Sequence, residues 1–418
     1  MTNFKKQVFS VFAAGSMLVS VSTPVLASTS IQISGNGAGS DNAAVVNQTN
    51  TTTVSQSNTA NVTNNVTSNA DTGNNDAGYN TGGDVTIHTG DAKTTANVTN
   101  TLNSNAAKVA GCNCEGDTKV KISGNGAYSD NQVNLTATNV NSVDQTNDAN
   151  VTNNVVNKAK TGDNSANSNT GGDVIIVTGD ATANATVKTA ANSNSAVIGG
   201  GVGANGSSAS FVISGNGAGS DNWIVANLTN VNSILQDNKA NIDNDVDSSA
   251  KTGKNDAGFN TGGDVVIATG DAKSGAYVDN MVNFNFADID CGCIKDVLVK
   301  IDGNGASAHN DNKNANGVLL SLTNVNVVGQ GNDAYLDNDV EAKAKTGYND
   351  ANKNTGSVEF GDDPAIITGD ATNMTHVNNS GNVNTVGGTP VVLPLPGNTN
   401  LGFSFSMQAL MAFFGWSM

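Results

Sequence analysis

One ten-residue block constrains this chain more than any other feature. ISGNGAGSDN, beginning at Ile33, recurs as ISGNGAYSDN from Ile122 and as ISGNGAGSDN from Ile213, with a worn copy, IDGNGASAHNDN, from Ile301. The offsets are 89, 91 and 88 residues. Two further blocks keep the same step. NTGGDV begins at Asn80, Asn169 and Asn260 and decays to NTGS at Asn354, while TGDA begins at Thr89, Thr178, Thr269 and Thr368. Four copies follow, at 28–118, 119–209, 210–297 and 298–388, between an N-terminal segment 1–27 and a tail 389–418. Such self-similarity is the signature of a stacked repeat architecture, in which no unit buries its apolar face alone.

A finer spacing lies inside each copy. Alanines that follow an Asn or Asp fall at Ala127, Ala149, Ala166, Ala181 and Ala196, stepping 22, 17, 15 and 15 residues. The next copy repeats those steps from Ala218 to Ala287. The asparagines of these steps are Asn36, Asn58 and Asn75, then Asn125, Asn147 and Asn164, then Asn216, Asn238 and Asn255, and finally Asn304, Asn332 and Asn349. Read as corners, they predict five rungs per copy of about 18 residues each, twenty rungs in all, and a rod of about 100 Å at 4.8 Å per stacked strand.

Between those positions apolar and polar residues alternate, as in Val133-Asn-Leu135 and Val85-Thr-Ile87. That is the period of a strand, and helical spacing is absent from the repeats. Gly, Asn and Asp supply residues that tolerate left-handed turns. The expected fold is therefore all-β, a β-solenoid whose repeated Asn forms a hydrogen-bonded amide ladder along the axis. The alternative is four tandem β-sandwiches. It is disfavoured because sandwich cores need bulky inward residues, and Tyr79 and Tyr128 are the sole aromatics of their copies.

GNNDAGYN at Gly73–Asn80 and GKNDAGFN at Gly253–Asn260 match the pattern G-x-N-x-A-x-x-N. In this the chain resembles the curlin repeat of secreted bacterial fibres and, more broadly, Asn/Thr/Gly-rich bacterial surface repeat proteins. The resemblance implies stacked strand–turn–strand units with Gly, Asn and Ala at the corners.

Composition narrows function. The net charge is −17, all 19 basic residues are Lys, and 33 of the 36 acids are Asp. A chain of that sign, with no basic patch to offset it, repels phosphate backbones, so nucleic acid is excluded as a partner. Lys5 and Lys6, the apolar run Val8–Val21 and the ending Val25-Leu26-Ala27 read as a secretory signal peptide, predicting a secreted or cell-surface protein. The tail, with Pro390, Pro394 and Pro396 before the apolar 401–418, predicts membrane or wall association or a capping segment.

Candidate sites are few. Asp41, Asp130, Asp221 and Asp311 close turns one residue away from the nonapeptide of calcium-binding β-rolls, which makes calcium the alternative cofactor. Against it, β-roll nonapeptides must be adjacent, and these lie about 90 residues apart in sequence. Cys112 with Cys114 and Cys291 with Cys293 form two C-x-C pairs. In an oxidising compartment they predict disulfides, local or between chains. Ten intervening rungs would hold the pairs about 50 Å apart, beyond the reach of a bridge. His88, His309 and His376 are isolated and no nucleophile motif stands up, so no catalytic residue is assigned. A secreted structural or adhesive protein presenting an Asn/Thr/Asp-rich face is the expectation. Its expected partners are a cell surface, a glycan or further copies of itself. A calcium-dependent binding module and a polysaccharide-acting β-helix enzyme are the rivals.

Overall fold

The computed structural model describes residues 7–13, 16–22, 29–110, 118–199, 207–290, 294–306, 316–356 and 364–387. All regular elements are strands. Two short ones come first, β1 (Gln7–Ala13) and β2 (Ser16–Ser22). Copy one then contributes β3 (Thr29–Ser34), β4 (Asp41–Asp71), β5 (Val85–His88) and β6 (Ala92–Ala110). Copy two repeats this as β7 (Thr118–Ser123), β8 (Asp130–Lys160), β9 (Val174–Val177) and β10 (Ala181–Gly199). Copy three gives β11 (Ser207–Ser214), β12 (Asp221–Lys251), β13 (Val265–Ala268) and β14 (Ala272–Asp290). Copy four gives β15 (Ile294–Asp302), β16 (Asn316–Lys345), β17 (Ala365–Ile367) and β18 (Ala371–Val386).

Each strand pairs in parallel with its counterpart in the neighbouring copy, building four sheets that run through the whole repeat region. The fold is a β-solenoid, and its turn is one entire copy. Val62 of β4 faces Val151 of β8, Val151 faces Ile242 of β12, and Ile242 faces Leu336 of β16. The expected rung of about 18 residues is thereby corrected: strands 87 to 99 residues apart pair, and there are four turns, not twenty. The solenoid is accordingly short along its axis, about 14 Å across three strand spacings, and broad across it. Tandem sandwiches are also overturned, because every sheet crosses all the copies and no copy closes a core alone.

Within a turn the chain runs out along the 31-residue strand and returns along the 4- and 19-residue strands. Ala159 packs with Ala181 and Ala183, Val155 with Val187, Val151 with Ala191, and Val143 with Ile198. Those contacts order the outgoing and returning strands in opposite directions. The first short sheet closes the far end, where Phe211 and Ile213 pack on Ile224 and Ala226. A 31-residue strand is far longer than the usual strand of about 5–6 residues. No Gly or Pro interrupts 41–71, 130–160 or 221–251, so nothing there bends the chain. The turns instead gather the glycines, as at Gly82 and Gly83 (φ +78° and +86°). Strict alternation along β8 buries one face and exposes the other.

The segment expected to be a signal peptide contributes β1 and β2, which pair in parallel with Thr95–Thr101 and Ser104–Ala110 on the outer edge of β6. Among the described residues no helix is long and apolar enough to cross a membrane. The tail 389–418 lies outside the described residues.

Candidate functional site

The interior between the long sheet and the returning sheet is built as much from amides as from apolar side chains. The three sets of Asn singled out in the sequence each form a ladder along the axis. Asn36 donates through Nδ2 to Asn125, Asn125 to Asn216, and Asn216 to Asn304, at 2.9 to 3.0 Å. Asn75, Asn164, Asn255 and Asn349 do the same at 2.8 to 2.9 Å. Asn58, Asn147, Asn238 and Asn332 form the third, at 3.0 to 3.2 Å. The first two sets sit in turns. The third does not: Asn58 lies mid-strand in β4, with its side chain directed inward.

Spacing alone missed the partners of that third ladder. Asn105, Asn194, Asn285 and Asn384 ladder on the facing sheet. The two ladders interlock, Asn58 to Asn105, Asn105 to Asn147, Asn147 to Asn194, Asn194 to Asn238, at 2.8 to 3.0 Å. Asn147 and Asn238 are fully buried. A buried amide without a partner costs about 1–3 kcal/mol, whereas a satisfied one contributes about 1 kcal/mol net. A continuous ladder satisfies each amide while requiring identical side chains at each level, which is why these positions are Asn in every copy. Gln56, Gln145, Gln236 and Gln330 make a further ladder, at 2.7 to 2.8 Å.

A second column was also missed. Asn103, Asn192, Asn283 and Asn382 all have left-handed backbones, φ +52° to +63°. Each inserts one residue that shifts the buried face to positions of the other parity, as between Ala191 and Asn194 in β10. Their side chains ladder at 3.0 Å and also donate across the core to the carbonyls of Asp148, Lys239 and Asp333. The signal for them was the doublet Asn-x-Asn, present as Asn103 with Asn105 in copy one and repeated in each copy.

On the surface the acids are also in rows. Asp91, Asp180, Asp271 and Asp370 stack, each carboxylate accepting the backbone N–H of the next at 2.8 to 2.9 Å. The N–H of Asp370, followed by the Lys273 ammonium, holds the Asp271 carboxyl below its ordinary value. Burial, helped by the neighbouring Asp290, pushes the Asp288 carboxyl up. Asp41, Asp130 and Asp221 are neighbours in register at the start of the long strands, so the sequence separation held against a β-roll arrangement vanishes in space. Asp311 lies outside the described residues. Among the described residues no three His, Cys, Asp or Glu side chains come together as a metal-holding group.

Cys112, Cys114, Cys291 and Cys293 lie outside the described residues, as does His309. The distance argument applied to the cysteine pairs is nevertheless corrected. Val109, Ile198 and Ile289, just before those segments, stack on successive turns, so the first and third are two strand spacings apart, about 10 Å and not about 50 Å. The lysines change meaning as well. Scattered in sequence, they are gathered by the register: Lys160, Lys251 and Lys345 occupy one column, giving the acidic chain a basic patch.

No family model, no curated protein and no solved structure matches the chain. What defines its class is thus its own geometry, a parallel β-solenoid with one long copy per turn and an amide-laddered interior.

Proposed function

We propose that this is a secreted, surface-retained structural or adhesive protein without catalytic activity, whose working part is the outward face of the long sheet. The carrying observation is that this face repeats polar side chains in register. Thr63, Thr152, Asp243 and Asp337 form one row, and Asn65, Asn154, Asp245 and Asp339 another. An active site occurs once; here chemistry of one kind recurs at every turn. The interior supports a rigid scaffold, since satisfied polar networks specify one packing and resist rearrangement. Further copies of the chain are proposed partners because, among the described residues, β4 and β16 each have a neighbour on one side only. Free edges of that length are templates for pairing.

Surface proteolysis of intact producing cells tests the reading. Loss of the full-length protein on adding external protease, together with loss of attachment in cells lacking it, is expected. Protection until the cells are lysed would overturn it.

A further inference from the structure

The end of the long sheet carries a feature that a purely structural solenoid does not need. Two columns meet there. In the first, Asp71, Lys160, Lys251 and Lys345 are register neighbours. In the second, Asn74, Asp163, Lys254 and Tyr348 follow the stacked glycines of successive turns, all with φ of +60° to +64°. The charge therefore changes along the axis. At the copy-two level Lys160 is neutralised, its ammonium 2.7 Å from Asp163, 3.8 Å from Asp71 and 2.6 Å from Asn74 Oδ1. One level up, lysines stand where those acids stood. Among the described residues no carboxylate lies within ion-pair distance of Lys251, Lys254 or Lys345.

These three lysines line one depression of about 130 Å³, floored by Gly253 and Gly347 and walled by the Tyr348 ring. The ring is 78% exposed, on a backbone conformation that bulky residues rarely adopt. Lys345 Nζ sits 5.9 Å from its centroid. Three lysines thus share one end of the long sheet with no acid set against them, within a protein of net charge −17. Positive charge gathered in this way attracts an anion. The exposed ring supplies a flat apolar wall of the kind a sugar ring covers, and Tyr348 also lines a second depression with Asn349, Asp350 and Asn352, whose oxygens can accept hydrogen bonds from sugar hydroxyls.

We propose that the depression formed by Lys251, Lys254, Lys345 and Tyr348 binds an acidic sugar unit of a polysaccharide, its carboxylate or sulfate on the lysines and its ring against Tyr348. The proposal deepens the adhesive reading by naming a ligand class, and it is tested on the purified protein in solution, where its failure leaves surface retention untouched.

The experiment is calorimetric titration of the full chain with hexagalacturonate, cellohexaose and sodium sulfate. Binding of hexagalacturonate is expected, about tenfold weaker in 0.5 M salt because the interaction is screened. It should also be about tenfold weaker in Lys251→Gln/Lys345→Gln, since each exposed charge contributes modestly. Cellohexaose and sulfate should each bind at least tenfold more weakly than hexagalacturonate, and Lys239→Gln, on the outward face of β12, should bind normally. Acetylation footprinting of the unaltered protein gives a second reading: hexagalacturonate should protect Lys251, Lys254 and Lys345 but not Lys239. Equal binding of cellohexaose, equal binding of sulfate, or no selective protection would overturn the proposal.

Discussion

Asn147 donates through Nδ2 to the Oδ1 of Asn238 at 3.0 Å, although 91 residues of chain separate them. Their neighbours in sequence, Asp148 and Lys239, face outward from the same pair of strands, so the two faces of one register carry opposite duties. Inward, like must meet like to continue a ladder; outward, unlike side chains are free to differ.

That register is open to a direct check. Asp148 and Lys239 are register partners, about 4.8 Å apart between adjacent strands, within the Cα separation a disulfide spans. Asp148→Cys/Lys239→Cys should form an intramolecular bridge under mild oxidation, seen as a mobility shift without reductant. With rungs of about 18 residues the same positions would be five spacings, about 24 Å, apart, and no bridge would form.

Asn192 has two separable duties, a left-handed backbone and a laddered amide. Asn192→Gly keeps the first and loses the second, taking from Asn103 its ladder acceptor and from Asn283 its ladder donor, and should cost about 1–3 kcal/mol. Asn192→Ala loses both, adding about 1 kcal/mol for left-handed strain. Urea denaturation followed by circular dichroism should therefore rank wild type above Gly above Ala, and an Ala variant as stable as the Gly variant would contradict this account.

The glycine column at 73, 162, 253 and 347 is a matter of space. A Cβ on Gly162 would meet the carbonyl oxygen of Gly253, and one on Gly73 that of Gly162. Backbone cannot give way as a flexible side chain can. Gly162→Ala should lower the unfolding midpoint substantially, by the equivalent of about 2 kcal/mol or more. Gly347→Ala, with nothing within 4 Å of the added carbon, should be nearly neutral. The pair of melting curves separates close stacking from a general need for glycine.

Acid should act on two aspartates with opposite signs. The folded value of Asp271 lies below its unfolded value near 3.8, so its stabilisation is complete above that pH and is lost as pH falls through the lowered folded value. Asp271→Asn should flatten the drop in urea midpoint between about pH 5 and 2.5. Asp288 is raised, so its ionised form opposes folding and protonation relieves it. Asp288→Asn should raise the midpoint at neutral pH and leave it unchanged in acid. Parallel urea titrations of both variants would show whether the slopes diverge in this way.

Much of the architecture was legible because it is written locally. Alternation around Val133 and Leu135 revealed strands, the block from Ile33 revealed four copies, and the Asn36, Asn58 and Asn75 sets proved to be ladder positions. Not every Asn-x-Ala is a corner, which is why the turn spans about 90 residues and not about 18. Asn58 carries its Asn inward along an unbroken strand, and the absence of Gly and Pro from 41–71 was the sign that no corner exists there. Glycine placement, concentrated at 35–39 and 73–90, was the better guide, because a corner needs backbone freedom and a ladder position does not.

The sequence by itself determined that the chain is a repeat of β-strands with asparagine at fixed levels, since alternation, turn chemistry and self-similarity act over a few residues. Only the tertiary structure decided which asparagines meet, that Asp41 lies beside Asp130, and that lysines from different copies converge on Tyr348. Parallel pairing brings together residues 87 to 99 positions apart. Its hydrogen bonds are the same at every level, so the backbone ladder itself does not distinguish a turn of 18 residues from one of 90. The choice falls to the side chains, and it goes to the register in which the Asn58, Asn105 and Gln56 columns each stack amide on amide.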